Sequence, residues 1–133
     1  MDSIFSKIIA GDIPAYKIAE NDNCIAFLDI FPIKKGHTLV VPKKEVDKLI
    51  DLDEANYTEL MRFTRKVAKA LEDTIPCLRV GMAVVGLEVP HAHIHLIPLH
   101  HADDINFSKP KLRFSEEEFQ QISSLIKENF KNY

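Results

Sequence analysis

The strictest constraint in this chain is the segment Pro90-His91-Ala92-His93-Ile94-His95-Leu96-Ile97-Pro98, where histidine alternates three times with a small or apolar residue. A period of two belongs to an extended strand. Residues two apart share a face at about 6–7 Å spacing, so three imidazoles line one side while Ala92, Ile94 and Leu96 enter a core on the other. Such a strand needs a sheet with one oily face and one chemical face. Protonating all three rings is costly, because unit charges at that spacing repel by about 1–2 kcal/mol at an effective dielectric of roughly 20–40. Neutral rings are favoured, and a neutral imidazole is a nucleophile near neutral pH.

The remainder of the chain supplies that sheet. Ile4, Phe5, Ile8 and Ile9 repeat at helical spacing over residues 3–10, and Gly11 then Pro14 end the helix. Residues 16–20 and 24–30 read as strands around the turn formers Asn21-Asp22-Asn23, and 37–41 as a third strand closed by Pro42. The stretch from there to Leu52 reads as loop with a helical turn. From Asp53, an N-cap, the period changes to 3.6: Tyr57, Leu60, Met61, Thr64, Val67, Ala68, Leu71 and Ile75 make one stripe, and Pro76 supplies the stop. Residues 78–85 and 92–99 read as two further strands joined across Gly86 to Pro90. Ser115 and Glu118 then form a capping box opening a helix with Phe119, Ile122, Leu125 and Ile126 on its apolar side. Adjacent strands, short connections and segregated helices predict an α+β fold: an antiparallel sheet of about five strands with a long central helix and a C-terminal helix.

Composition removes several classes of function. With 133 residues the chain suits one domain, and 46% hydrophobic with 28% charged residues is ordinary for a folded protein. The balance of 17 basic against 20 acidic side chains leaves no positive excess for polymeric nucleic acid. No apolar run approaches the roughly 20 residues of a membrane helix. The N-terminus begins acidic, without the pattern of a secretory signal, so a cytoplasmic protein is expected, with Cys24 and Cys77 as buried thiols.

A lone histidine in a strand is ordinarily a satisfied structural residue. Three in register point instead to imidazole catalysis or phosphate recognition. Metal binding by His91, His93 and His95, with help from His100, His101, Asp103 or Asp104, is the runner-up. Strict alternation lets one small ion reach all three rings only with strain.

The run from His91 to Ile97 also matches in full the signature His-φ-His-φ-His-φ-φ, with φ apolar, and the chain closely resembles the histidine triad (HIT) superfamily in its Hint-like branch. Further blocks carry the resemblance in order: Ile4 to Ile9 followed by Ile13-Pro14, Ala26 to Ile30, and Gly36 to Lys43. It covers residues 3–99, within a single domain 1–133 that carries a C-terminal helical extension at 115–131. The resemblance implies a HIT-like fold and a hydrolase or transferase. Such an enzyme acts on the α-phosphate of nucleoside monophosphate derivatives, of phosphoramidate, acyl-adenylate or dinucleotide type, through a nucleotidyl-histidine intermediate. By the same carry-over His93 is the nucleophile, His91 orients it through its backbone carbonyl, His95 contacts phosphate oxygen, and His37 supports the proton network. Asp29 matches the acidic residue that binds the ribose hydroxyls, and Ile4, Phe5, Ile8, Phe27 and Ile30 match positions around the base. Read alone, those apolar residues are ordinary core. No cofactor and no metal are expected; the implied partners are a small nucleotide, with a purine base, and a second copy of the chain in a symmetric homodimer. A binding module with little catalysis, or a metal-dependent enzyme using the same histidines, are the alternatives.

The chain also departs from the family pattern. Aligned without gaps back from His91, Val80, Leu87 and Glu88 stand where relatives carry amide or hydroxyl side chains that hold the phosphate. Val80 and Leu87 cannot donate to a phosphate, and an ionised Glu88 repels one. Either main-chain N–H groups around Gly86 take over or the substrate differs. Ser3 and Ser6 stand near the place of a cysteine pair found in some relatives, so no zinc site is expected there.

Overall fold

The computed structural model describes residues 3–133. Met1 and Asp2, which head the stretch read for a secretory signal, lie outside the described residues. The elements run α1 (Ile4–Ala10), β1 (Lys17–Glu20), β2 (Cys24–Leu28), β3 (Thr38–Pro42), α2 (Glu54–Thr74), β4 (Arg79–Ala83), β5 (Ile94–Leu99) and α3 (Glu116–Phe130), with single 3-10 turns at Leu49–Asp51 and Ala102–Ile105. The five strands form one antiparallel sheet in the order β1-β2-β3-β5-β4, so the histidine strand inserts between β3 and β4. This is the α+β architecture expected from the sequence.

The two faces of the sheet have different covers. Ala26, Leu28, Val40, Ile94 and Leu96 point toward α2 and α3, where they join Leu60, Phe63, Val67, Leu71, Phe119, Ile122 and Ile126 in the larger core. Ile25, Phe27, Leu39 and Val41 point the other way and pack with Phe5 and Ile8 of α1. Because both faces are covered, β2 and β3 are buried along their whole length, which explains why their sequences run apolar without alternation. α3 packs on α2 and the β1 edge, with Phe119 stacked on Tyr16 at 5.0 Å between centroids.

Caps fall where local chemistry demands them. Ser3 accepts from the Ser6 N–H, Asp53 from the Asn56 N–H and Ser115 from the Glu118 N–H, each meeting a donor the helix leaves unpaired. Gly36 turns the chain into β3 at φ +90, and a Cβ there would lie 2.8 Å from Ile75 Cγ1, so the end of α2 presses on the turn that presents His37.

Some elements differ from expectation. The buried stripe of α2 includes Phe63 and Ala70 and leaves Tyr57 exposed; on α3, Leu125 is exposed while Ser123 is buried. β2 stops at Leu28 because Asp29 starts a turn, its Oδ1 accepting from the Phe31 N–H at 2.8 Å. β5 begins at Ile94 rather than Ala92, because the Ala92 N–H goes to the Val46 carbonyl at 2.7 Å instead of a neighbouring strand. His91 and His93 therefore lie on the extended lead-in to the strand. Cys24 is buried as expected, whereas Cys77 is only half-buried; both are free thiols.

Candidate active site

Main-chain geometry on the lead-in sets the state of His93. Its Nδ1 lies 2.7 Å from the His91 carbonyl. A carbonyl only accepts, so Nδ1 carries the ring proton and Nε2 keeps its lone pair. The Phe5 ring stands edge-on at 4.9 Å and the His95 ring at 5.0 Å, which fix the plane of the imidazole. The same rule applies to His91: Nε2 donates to the Pro42 carbonyl at 2.8 Å, leaving Nδ1 as acceptor 2.9 Å from the Ser3 hydroxyl.

A second chain of donors ends on His95. The Ile33 N–H donates to His37 Nδ1 at 3.2 Å, so His37 carries its proton on Nε2 and donates it to His95 Nδ1 at 2.9 Å. With Nδ1 accepting, His95 bears its own proton on Nε2. The Asp29 Oδ2 lies 3.6 Å from His37 Nε2, close enough to orient that proton electrostatically. Among the described residues no buried side-chain nitrogen or oxygen lacks a hydrogen-bond partner, and neither Nε2 of His93 nor of His95 has one. Both atoms therefore retain access to solvent although the residues are only 6% and 8% exposed. The result is a lone pair on one ring beside an N–H on the next.

Burial keeps these rings neutral. Desolvation, then the fields of Lys111 and His93, push His37 down to about 4; desolvation, then His37 and His93, push His95 down to about 3. His93 is also lowered, chiefly by burial, against the opposing hydrogen bond to the His91 carbonyl.

Asp29, His37 and His95 offer ligand atoms within 4.8 Å of one another, the arrangement closest to a metal site among the described residues. Their hydrogen bonds oppose that use. A cation on His37 Nε2 would need the atom's proton removed while Nδ1 still faces the Ile33 N–H. The other residues of the metal reading lie in a separate turn: Asp104 Oδ2 accepts from the backbone N–H groups of His100 and His101, and Asp103 pairs with Lys109 at 2.9 Å.

The candidate nucleotide contacts divide into two sets. Phe5, Ile8 and Phe27 belong to the packed cluster behind the triad, whereas Ile4 is half-exposed on α1. Ile30 is exposed and, next to Asp29, lines a surface cavity of about 560 Å³ with Phe31, Lys111, Leu112, Arg113 and Phe114. A second cavity of about 500 Å³, between α2 and β4, is remote from this chemistry.

Val80 lines that second cavity and packs toward the helices, away from the triad. The residue paired across from His95 is Ala83, which carries no polar group. Leu87 is 88% exposed in the loop before the triad. One contact escaped the sequence reading: Phe107, whose ring stands 4.7 Å from His95 and 6.1 Å from His37. No local pattern marked it, since it follows the irregular turn of residues 100–106.

Known proteins share this fold. The HIT domain model matches residues 10–102. The chain belongs to the HIT family. A HIT-like protein of Borreliella burgdorferi is 35% identical over 136 residues, covering 96% of this chain and 98% of its own. The adenosine 5'-monophosphoramidase of Schizosaccharomyces pombe is 35% identical over 133 residues, covering 96% and 100%. Among solved structures, a HIT-like protein from Bartonella henselae superposes with a TM-score of 0.83 at 28% identity, over 96% of each chain. The HIT fold is thus shared along nearly the whole length, including the C-terminal helix that the motif-based resemblance did not reach.

Proposed function

We propose that this HIT protein is a nucleotide hydrolase or transferase acting on the α-phosphate of nucleoside monophosphate derivatives, with His93 as nucleophile. The observation that carries the reading is the proton placement: the His91 carbonyl holds Nδ1–H, leaving the lone pair of His93 Nε2 beside the Nε2–H of His95. Attack forms an N–P bond. The bond from phosphorus to the leaving group breaks, its electron pair going to that group, which takes a proton from solvent. Water then cleaves the N–P bond, releasing the monophosphate and restoring the ring. His95 donates a hydrogen bond to a phosphate oxygen as charge builds, while His37 and Asp29 hold that donor in place. Asp29 also offers a carboxylate for the ribose hydroxyls, and the cavity beside Ile30 is of a size that suits a small-molecule ligand.

Likeness to an adenosine 5'-monophosphoramidase supports a purine phosphoramidate as first substrate. Incubation with adenosine phosphoramidate or an aminoacyl-adenylate, followed by mass spectrometry, should find the nucleotidyl group on His93. Label that persists in His93→Ala overturns the assignment.

Ala83 and Leu87 favour a second reading, a nucleotide-binding module with little turnover, because neither side chain can donate to the phosphate. Calorimetry showing nucleoside monophosphate binding without hydrolysis across a broad panel would select it. A metal-dependent enzyme would lose activity in excess chelator, whereas the histidine mechanism would not. We also propose a symmetric dimer through β4, an edge strand that leaves Leu78, Met82, Val84 and Val85 exposed at and beside it. Light scattering should then give twice the chain mass.

A further inference from the structure

Three buried hydrogen bonds lead from the first described residue to the ring proposed as nucleophile. The Ser3 hydroxyl lies 2.9 Å from His91 Nδ1, His91 Nε2 lies 2.8 Å from the Pro42 carbonyl, and the His91 carbonyl lies 2.7 Å from His93 Nδ1. Ser3 and His91 are both buried, His91 completely. Since Pro42 can only accept, His91 presents a lone pair at Nδ1, so the Ser3 hydroxyl spends its one proton there. Its oxygen meanwhile accepts from the Ser6 N–H at 3.0 Å, and the Ser3 N–H donates to Glu45 Oε1 at 3.2 Å. The Ser6 hydroxyl is more remote from the ring, at 3.4 Å.

We infer that Ser3 is a positioning residue for the reaction: its hydroxyl holds the plane of His91 by donating to the Nδ1 lone pair that the Pro42 carbonyl leaves free, and through the His91 carbonyl it aims His93. This rests on the proposed role of His93. One side chain thus performs two tasks. As acceptor it starts α1, which carries the Phe5 ring to within 4.9 Å of His93 and 6.0 Å of His91. As donor it orders the ring whose backbone grips the nucleophile. A cap needs only the acceptor, so the donor function separates positioning from helix stability.

The test uses the full chain labelled with ¹⁵N-histidine. Long-range proton–nitrogen NMR of the unsubstituted protein should show His91 protonated on Nε2 alone and His93 on Nδ1 alone; His91 protonated on Nδ1 would overturn the inference whether or not any nucleotide is hydrolysed. Among variants, Ser3→Asp keeps a capping acceptor but cannot donate, Ser3→Ala loses both functions, and Ser3→Thr keeps both. For adenosine phosphoramidate, Asp and Ala should lower kcat by about five- to tenfold with KM unchanged. Ser3→Asp should also add a second proton at His91 Nδ1, because a carboxylate there accepts while the Pro42 carbonyl still holds Nε2–H, and Thr should restore both readouts. If Ser3→Asp matches the unsubstituted protein in His91 protonation and in kcat, Ser3 is only a cap and the inference fails. Absence of hydrolysis in the unsubstituted protein would remove the proposed function, while the NMR result would still decide the placement of the rings.

Discussion

On the helix side of the histidine segment, Ile94 and Leu96 meet Leu60, Val67 and Leu71 in a core without direction; on the opposite side, His91 meets Ser3 and the Pro42 carbonyl, His93 meets the His91 carbonyl and His95 meets His37, through bonds that each fix a proton. Both sides are almost equally closed to solvent. They differ in how they tolerate change. Dispersion and burial on the first side fade in proportion to the atoms removed, whereas a donor lost on the second leaves a ring free to take the wrong tautomer. Stability therefore resides mainly on one side, while the proposed reactivity belongs to the other.

The sharpest way to break this division is His93→Ala, which should lower kcat for adenosine phosphoramidate by at least about 10³-fold. Its circular dichroism should stay that of the folded protein; loss of structure would show that the histidine side also carries the fold. Next comes Leu60→Ala, for which urea unfolding should read about 2–5 kcal/mol of lost stability with KM near that of the unsubstituted protein.

Acid should expose the one point where the histidine side does affect stability. Burial first, then neighbouring positive charge, pushes His37 down to about 4 and His95 down to about 3 in the folded protein, below the ordinary 6.5. As pH falls below about 6.5 the unfolded chain gains protons that the folded chain refuses, so stability is complete above that value and declines steadily toward about pH 4. Calorimetry from about pH 7.5 to about 4.5 should show a falling Tm; a constant Tm would mean these rings are charged or freely hydrated in the fold. The smallest effect is expected far from both sides. Ser115→Ala removes the α3 capping box and should cost about 0.5–2 kcal/mol without touching kcat.

The fold was readable where a local rule and the tertiary structure agree. Gly11 and Asp53 bound their helices where turn and cap chemistry place them, and the five strand segments were found in order. Boundaries moved where distant partners intervened: Val46 takes the Ala92 N–H, and nothing near Ala92 in sequence announces it. Phe63 was missed because α2 is gripped by both the sheet and α3, which widens its buried arc beyond a single stripe. At the candidate site, alternation alone brought the three histidines to notice, whereas His37 and Asp29 came from the resemblance. The Ser3 contact spans 88 residues, and the Phe107 contact depends on an irregular turn; neither leaves a periodic trace.

The diversion of the Ala92 amide to Val46 has a consequence for how this protein can vary. Because the backbone on either side of His93 is anchored independently, by Val46 before it and by the β3 ladder from Ile94 onward, changes of length in the preceding loop of residues 84–90 are absorbed before they reach the ring. The loop and the His93 ring are thus tied down separately, so the loop can change in sequence and length while the ring proposed as nucleophile keeps its orientation.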